Sequence, residues 1–116
     1  MKKFENSELS LTEAGAAFAA LGSEQRLGIL QVLVRAGPEG LSMGELGERS
    51  RVRGSTLTHH LRILTAAGLV EQAKQGRSII CSSIAYDQIE ELSRFLLRNC
   101  CEDAVPPLVK GDHGHG

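Results

Sequence analysis

The 116-residue sequence is poor in aromatic side chains, with three Phe, one Tyr and no Trp. A core therefore has to be built mainly from Leu, Ile, Val and Ala, and the length suits one compact domain. No run of about 18 apolar residues occurs, which argues against a membrane-spanning helix. The first residues, MKKFEN, lack the apolar stretch of a secretory signal, so we expect the protein in the cytoplasm.

Cysteine is also scarce, and the three thiols are Cys81, Cys100 and Cys101. Because their number is odd and the expected compartment is reducing, we predict free thiols rather than structural disulfides. The sequence has no Gly-rich phosphate loop and no cysteine with a close partner for nucleophilic catalysis. We therefore predict that the protein is not an enzyme.

Positive charge is concentrated in one part of the chain, although the formal net charge is −1. Residues 51–80 hold five basic side chains against Glu71 alone, which gives +4. The flanking segments 1–50 and 81–116 carry −2 and −3. A segregated basic face is what contact with nucleic-acid phosphates requires, although a solvated basic face without a partner has the same pattern.

Apolar spacing and capping residues predict four helices in the first 68 residues. Serines begin three of them, one as part of a Ser-x-x-Glu capping box, and glycines end three of them. We expect a tight turn over residues 50–54 between the third helix and the fourth. The residues that set these limits are, in chain order, Gly22, Ser23, Gly37, Ser42 with Glu45, Ser55 and Gly68.

After the fourth helix the apolar period becomes that of strands, and residues 69–73 and 78–84 predict a hairpin. Asp87 and Glu90 then form a capping box for a fifth helix that runs to about Cys101. This helix has two apolar faces, which is more than a monomer core needs and indicates a dimer contact. The predicted fold is mainly α: a homodimeric winged helix-turn-helix of about five helices and a two-stranded wing.

We divide the chain into an N-terminal arm (1–10), a DNA-binding and dimerisation domain (11–104) and a flexible tail (105–116). The tail contains His113 and His115, which could add weak metal affinity but are more consistent with an incidental, Gly-rich end.

The fourth helix has side chains suited to reading DNA. A helical wheel places Leu57, Leu61 and Leu64 inward, and His60 lies near this stripe, where a structural role is favoured over base reading. Hydroxyls, an imidazole and a guanidinium lie on the opposite side and can reach phosphates and base edges. The basic hairpin tip suits contacts with phosphates or the minor groove. The candidate DNA contacts on the helix and the hairpin are Ser55, Thr56, Thr58, His59, Arg62, Lys74 and Arg77.

The segment STLTHHL at 55–61, with AGLV at 67–70 and Gly76-Arg77, resembles the signature of the ArsR/SmtB family of metal- and stress-sensing repressors. The stretch AALGSEQR at 19–26 is similar to the start of the family's second helix, and the resemblance covers about residues 10–101. It implies that the first and fifth helices pair two subunits. It also implies binding to double-stranded operator DNA, with no cofactor required, and repression that an inducer relieves.

The resemblance does not identify the inducer, because family members place their sensing sites in different elements. Residues 41–49 lack the Cys-x-Cys pair of the arsenic and lead sensors. Residues 23–36 lack the thiol of the persulfide sensors, and no His follows Asp87 in the fifth helix as in the zinc sensors. Only the three cysteines remain as candidate ligands.

Soft thiolates select thiophilic ions, and trivalent arsenic, which takes three sulfur ligands, suits three cysteines better than four-coordinate zinc. An adjacent pair with a third thiol resembles the arsenite- and methylarsenite-responsive members with C-terminal cysteines. We therefore predict that Cys81, Cys100 and Cys101 bind trivalent arsenic, within one chain or across two. Alternatives are thiol oxidation or persulfide sensing, another soft metal, cysteines that only pack, an arsenical-binding chaperone, and a winged domain that contacts only protein.

Overall fold

A computed structural model describes residues 9–105 of the chain. The expected N-terminal arm up to residue 8 and the tail from residue 106 onward, with His113 and His115, lie outside the described residues. In chain order the elements are α1 (Leu11–Leu21), α2 (Glu24–Ala36), β1 (Leu41–Ser42), α3 (Met43–Ser50), α4 (Gly54–Ala66), β2 (Val70–Gln75), β3 (Ser78–Ser83) and α5 (Ala85–Leu97). None of the helices in residues 9–105 is long and apolar enough to cross a membrane.

Side-chain caps define the starts of the first three helices. Ser42 and Glu45 form the predicted capping box at α3, and the Ser23 hydroxyl accepts a hydrogen bond at the start of α2. A further box, which the sequence analysis did not identify, joins Ser10 and Glu13 at α1. Ser10, the last residue of the predicted arm, is therefore the N-cap of α1.

The sheet has three antiparallel strands in the order β1-β3-β2, one more than the predicted two-stranded wing. The additional strand is two residues long and places Leu41 opposite Cys81. So short a segment has no alternating pattern, so only the tertiary contact reveals it. Gly40 precedes it with φ 78°, and a Cβ atom there would collide with the Cys81 carbonyl oxygen.

Two predicted helix starts were wrong. The N-cap of α4 is Arg53 and not Ser55, because the helix already begins at Gly54 and Ser55 lies inside its first turn. Likewise, α5 begins at Ala85, whose N–H donates to the Ser83 hydroxyl (2.8 Å). Asp87 therefore lies within the first turn of α5, and no capping box forms there. In both cases the polar residue that could cap the helix comes two or three positions after the observed N-cap.

The predicted ends of α4 and α5 had different outcomes. Gly68 follows α4 in the left-handed conformation (φ 82°), as predicted. The fifth helix ends at Leu97 and does not reach Cys101, because Asn99 and Cys101 have φ of 63° and 67°, which a helix cannot contain. The two adjacent cysteines consequently lie in turns after the helix.

Within residues 9–105 the core consists of two clusters. The larger one joins the predicted inward stripe of α4 to α2, α3 and the sheet, and a smaller one joins α1 to Leu92 of α5 and includes Leu9. Several large apolar side chains of α1 and α5 remain exposed in the single chain. They are Leu11, Phe18, Tyr86, Ile89, Leu96 and Leu97.

Candidate nucleic-acid interface

The helix-turn-helix consists of α3, a three-residue turn and α4. Arg51 closes α3 in the left-handed conformation (φ 63°), which reverses the chain. Val52 then packs into the core, and its N–H donates to the Ser50 hydroxyl (3.2 Å). Because Leu57, Leu61 and Leu64 are also buried, α4 is held by one face and presents the other to solvent.

All seven residues predicted to contact DNA are exposed. Thr58 additionally donates its hydroxyl hydrogen to the Gly54 carbonyl oxygen (3.3 Å), which fixes that side chain along the helix. In the wing, the turn consists of Gly76 (φ 61°) and Arg77 alone. Lys74 was predicted at the tip but lies in β2. Five of the predicted contacts therefore share one face of α4, and the remaining two lie on the hairpin.

The basic side chains before α4 are functional candidates that the sequence analysis did not single out. Arg49, Arg51 and Arg53 are exposed around the turn, and the first turn of α4 contains no acidic residue. No side chain caps this N-terminus, so its N–H groups, at the positive end of the helix dipole, remain open to an anion. The alternating arginines of residues 49–53 were the sequence signal for this surface. The sequence analysis used them only in the net charge of each segment.

An open cleft of about 760 Å³ separates α3 from the start of α4. Its lining includes Arg53, which precedes α4, and the acidic side chains of Glu45 and Glu48 from α3. Hydrogen bonds from the Ser42 backbone and hydroxyl lower the pKa of the Glu45 carboxyl, so that group remains ionised as part of the capping box. Because the two carboxylates would repel a phosphate, Arg53 is the side chain of this cleft suited to bind one.

His60 lies on the buried side of α4, with 8% of its surface exposed, where a structural role was favoured. Its Nε2 atom is 2.8 Å from the Gln25 side-chain oxygen, and its Nδ1 atom is 3.4 Å from Nη1 of Arg26. Burial, and then the positive charges of Arg26 and His59, lower the pKa of this imidazole. The ring is therefore neutral at physiological pH.

Cys81 is fully buried in β3, the central strand. Its sulfur lies 3.6 Å from the Met43 sulfur and 3.8 Å from the side-chain nitrogen of Gln72. Burial raises the pKa of the thiol, which keeps it protonated and unreactive. In this structure Cys81 is a packing residue of the core.

Cys100 and Cys101 are exposed, and their sulfur atoms are 3.4 Å apart. The neighbouring Cys101 thiol raises the pKa of Cys100, through a hydrogen bond and through charge repulsion. Within residues 9–105, no three His, Cys, Asp or Glu side chains lie close enough together to hold a metal ion. A single chain therefore brings Cys100 and Cys101 together and leaves Cys81 apart from them.

Comparisons with known proteins agree with this architecture. Residues 21–73 match the family model of a helix-turn-helix domain. The chain is 39% identical over 61 residues to YceK, an HTH-type transcriptional regulator of Bacillus subtilis (strain 168); the match covers 53% of this chain and 60% of that relative.

Solved structures extend the likeness beyond the helix-turn-helix. An ArsR-like transcriptional regulator from Rhodococcus sp. RHA1 superimposes with a TM-score of 0.68 at 35% identity, covering 78% of this chain and 82% of the other. The fold is shared with the winged helix-turn-helix domain of Mb0332 from Mycobacterium bovis, described as homodimeric (TM-score 0.62, 20% identity, 90% of each chain). These relatives are regulators and not enzymes, and the chain belongs to the ArsR-like family of transcriptional regulators.

Proposed function

We propose that this regulator is a homodimeric repressor that binds double-stranded operator DNA and is released by a thiol-reactive inducer. One observation carries the DNA-binding part: α4 is anchored by its leucine face and presents Ser55, His59 and Arg62 together to solvent. A helix of 13 residues, about 20 Å long, fits the major groove when its polar side is free.

Each element has its own role in the complex. His59 and Arg62 read base edges, since an exposed guanidinium can donate two hydrogen bonds to guanine. Lys74 and Arg77 on the hairpin contact phosphates or the adjacent minor groove, which adds affinity without sequence preference. Arg53 binds a phosphate at the uncapped start of α4 and sets the register of the helix in the groove.

The dimer forms through the exposed apolar side chains of α1 and α5. Leu11, Tyr86 and Leu96 are 78%, 75% and 67% exposed in the single chain, a larger apolar surface than a soluble monomer usually leaves to water. The homodimeric description of the Mycobacterium bovis relative supports this arrangement. We call α4 the recognition helix. In the dimer the two recognition helices are related by a twofold axis and lie about 34 Å apart, one turn of DNA.

We further propose a trivalent arsenical as the inducer, bound first by Cys100 and Cys101. Arsenite binding replaces each As–OH bond by an As–S bond, and each thiol proton leaves with a hydroxyl as water. The two exposed sulfurs, 3.4 Å apart, supply two of the three thiolates that inorganic arsenite takes. A methylated trivalent arsenical has only two exchangeable positions, so the pair alone satisfies it.

Cys81 would complete the site for inorganic arsenite only if the core opened around it, because that thiol is fully buried in contact with Met43 and Gln72. Such a movement would couple ligand binding to the wing, while the pair lies just after the proposed dimer helix α5. A change at the wing and a change at the dimer helix would each alter how the two recognition helices are placed relative to each other. A coupling free energy of about 1–3 kcal/mol is sufficient to lower operator occupancy.

Thiol oxidation is the second candidate, favoured by the same short distance between the two exposed sulfurs. A hydroperoxide would take two electrons from Cys100 and Cys101, joining the sulfurs in a disulfide and leaving as water and an alcohol. This candidate needs no contribution from Cys81.

The test measures release of a duplex selected from a random library by the wild-type protein, using fluorescence anisotropy in a buffer with a phosphine reductant. We expect arsenite to release the DNA, and Cys100→Ser and Cys101→Ser each to prevent release while leaving inducer-free affinity unchanged. Cys81→Ser should prevent release by arsenite but not by methylarsenite. If all three variants still release DNA with arsenite, the thiol site is wrong; release only by a hydroperoxide, without reductant, would establish the redox candidate.

A further inference from the structure

The start of α2 lies against both the end of α1 and the buried side of α4. From α2, Gln25 and Arg26 reach His60 on the recognition helix through the two ring nitrogens. The backbone N–H of Arg26 donates to the Ser23 hydroxyl (3.2 Å) that caps α2, which fixes the backbone from which the Arg26 side chain extends. We call Gln25, Arg26 and His60 the polar bridge.

The hydrogen-bond roles in the polar bridge follow from the chemistry of its groups. A guanidinium can only donate, so Nδ1 of His60 must accept from Arg26. The Nε2 atom then carries the hydrogen and donates to the Gln25 side-chain oxygen, 2.8 Å away. Only the neutral Nε2–H tautomer satisfies both contacts.

Arg26 also binds the carboxyl-terminal end of α1. Its Nε donates to the Ala20 carbonyl oxygen (2.8 Å), and its Nη2 approaches the Ala19 carbonyl oxygen (3.5 Å). The last turn of α1 has no basic residue of its own, so Arg26 supplies the positive charge that the carbonyl end of a helix favours. One side chain therefore connects the end of α1 with His60 on α4.

We propose that the polar bridge positions the recognition helix relative to α1, so that Gln25, Arg26 and His60 are positioning residues for operator binding. The inference rests on the proposed function, in which α1 carries part of the dimer surface and α4 reads DNA. If α4 shifts against α1 within each subunit, the distance between the two recognition helices of the dimer changes. Binding to two half-sites is then weakened more than binding to one.

The polar bridge also makes operator binding sensitive to acid. A protonated His60 would direct an Nδ1–H at the Arg26 guanidinium, and neither group can accept. The charged groups acting on the ring are Arg26 from α2 and His59 from α4, both unfavourable to imidazolium, and burial acts in the same direction. Since the folded-state pKa of His60 is lowered, the bridge is intact above the ordinary histidine pKa of about 6.5 and is lost as pH falls through the lower folded-state pKa.

The first experiment compares Arg26→Lys with Arg35→Lys, a matched exposed arginine on the same helix. Lysine keeps the charge but cannot reach Ala20 and His60 together. We expect Arg26→Lys to bind the full selected duplex at least tenfold more weakly, with affinity for a duplex containing one half-site within twofold of wild type. Arg35→Lys should change neither value.

Should Arg26→Lys fail to fold, Gln25→Ala provides the second variant, since it removes a single hydrogen bond and leaves the α1 contact intact. We expect a smaller loss, about threefold, again confined to the full duplex. Folded variants with wild-type affinity for the full duplex, or with equal losses on both duplexes, would overturn the inference and leave the proposed function standing. Failure of the wild-type protein to bind any duplex would overturn both.

The second experiment follows operator affinity from pH 7.5 to 5.5 in a His59→Asn background, so that His60 is the one histidine left on α4. We expect affinity to fall with pH when His60 is present and to stay flat when His60→Asn is added. A merely structural His60 predicts the same pH profile in both proteins, and that result would refute the acid sensitivity.

Discussion

His59 and Arg62 differ from their neighbour His60 in a way that decides their roles. The first two are exposed on α4, whereas His60 is buried and already hydrogen-bonded to α2. A side chain whose donors are engaged inside the protein cannot also read a base edge. At the scale of single residues, burial therefore separates the base-reading role proposed for His59 from the positioning role proposed for His60.

We expect Arg62→Ala and His59→Ala each to weaken binding to the selected duplex by about 1–3 kcal/mol, the range for loss of a good base contact. Affinity for an unrelated duplex should change far less. Competition binding with both duplexes at one fixed salt concentration measures this difference. Arg94→Ala on α5 is the charge-matched control, since that exposed arginine pairs with Glu91 away from α4. Unchanged discrimination in both α4 variants would show that the reading face is misplaced.

The helices differ in how their first turns are stabilised. In α3 the Ser42 hydroxyl accepts from the Glu45 N–H (3.2 Å), and the Glu45 carboxylate accepts from the Ser42 N–H (3.0 Å). In α4 no side chain makes such a bond, although Ser55 has the composition of a cap. The element that faces solvent at the proposed DNA surface thus begins without a side-chain cap on its N–H groups.

We expect Ser42→Ala to lower the free energy of unfolding by about 1 kcal/mol, because it removes an N-cap. Ser55→Ala, at a serine that caps nothing, should change it by no more than a few tenths of a kcal/mol. Urea denaturation of both variants at one protein concentration gives the comparison. Equal losses in the two variants would mean that Ser55 caps α4 in solution.

At the scale of the whole molecule, the chain has more apolar surface than one copy buries. The smaller core cluster joins α1 and α5 through Leu92, while their outer sides, with Leu11 and Leu96, remain in water. A second copy that covers these sides would gain roughly 25 cal/mol for each Å² of apolar surface removed from water.

We expect sedimentation of the wild-type protein at micromolar concentration to give about twice the chain mass of 12.5 kDa. Leu96→Glu should produce the monomer, because it would bury a carboxylate in an apolar contact. The matched control is Leu27→Glu, at an exposed leucine of α2. A wild-type monomer, or a Leu96→Glu dimer as tight as wild type, would contradict the proposed surface.

The sequence by itself determined the order of helices and the hairpin, because helical and strand periods are properties of local residue spacing. The leucine stripe of α4, the Ser42 capping box and the left-handed Gly68 were all predicted correctly for this reason. The ArsR/SmtB signature in residues 55–77 likewise predicted the family. Exposure of the five candidate DNA contacts on α4 followed from the same wheel that buried the leucines.

Only the tertiary structure decided which polar residues are used and by which partner. Gln25 and His60 are 35 positions apart, and Leu41 pairs with Cys81 across 40 positions, so no local pattern could connect them. The same holds for the thiols: adjacency predicted the Cys100–Cys101 pair, but the pairing of β1 with β3 placed Cys81 inside the core. Spacing along the chain describes one element, whereas long-range packing determines what that element contacts.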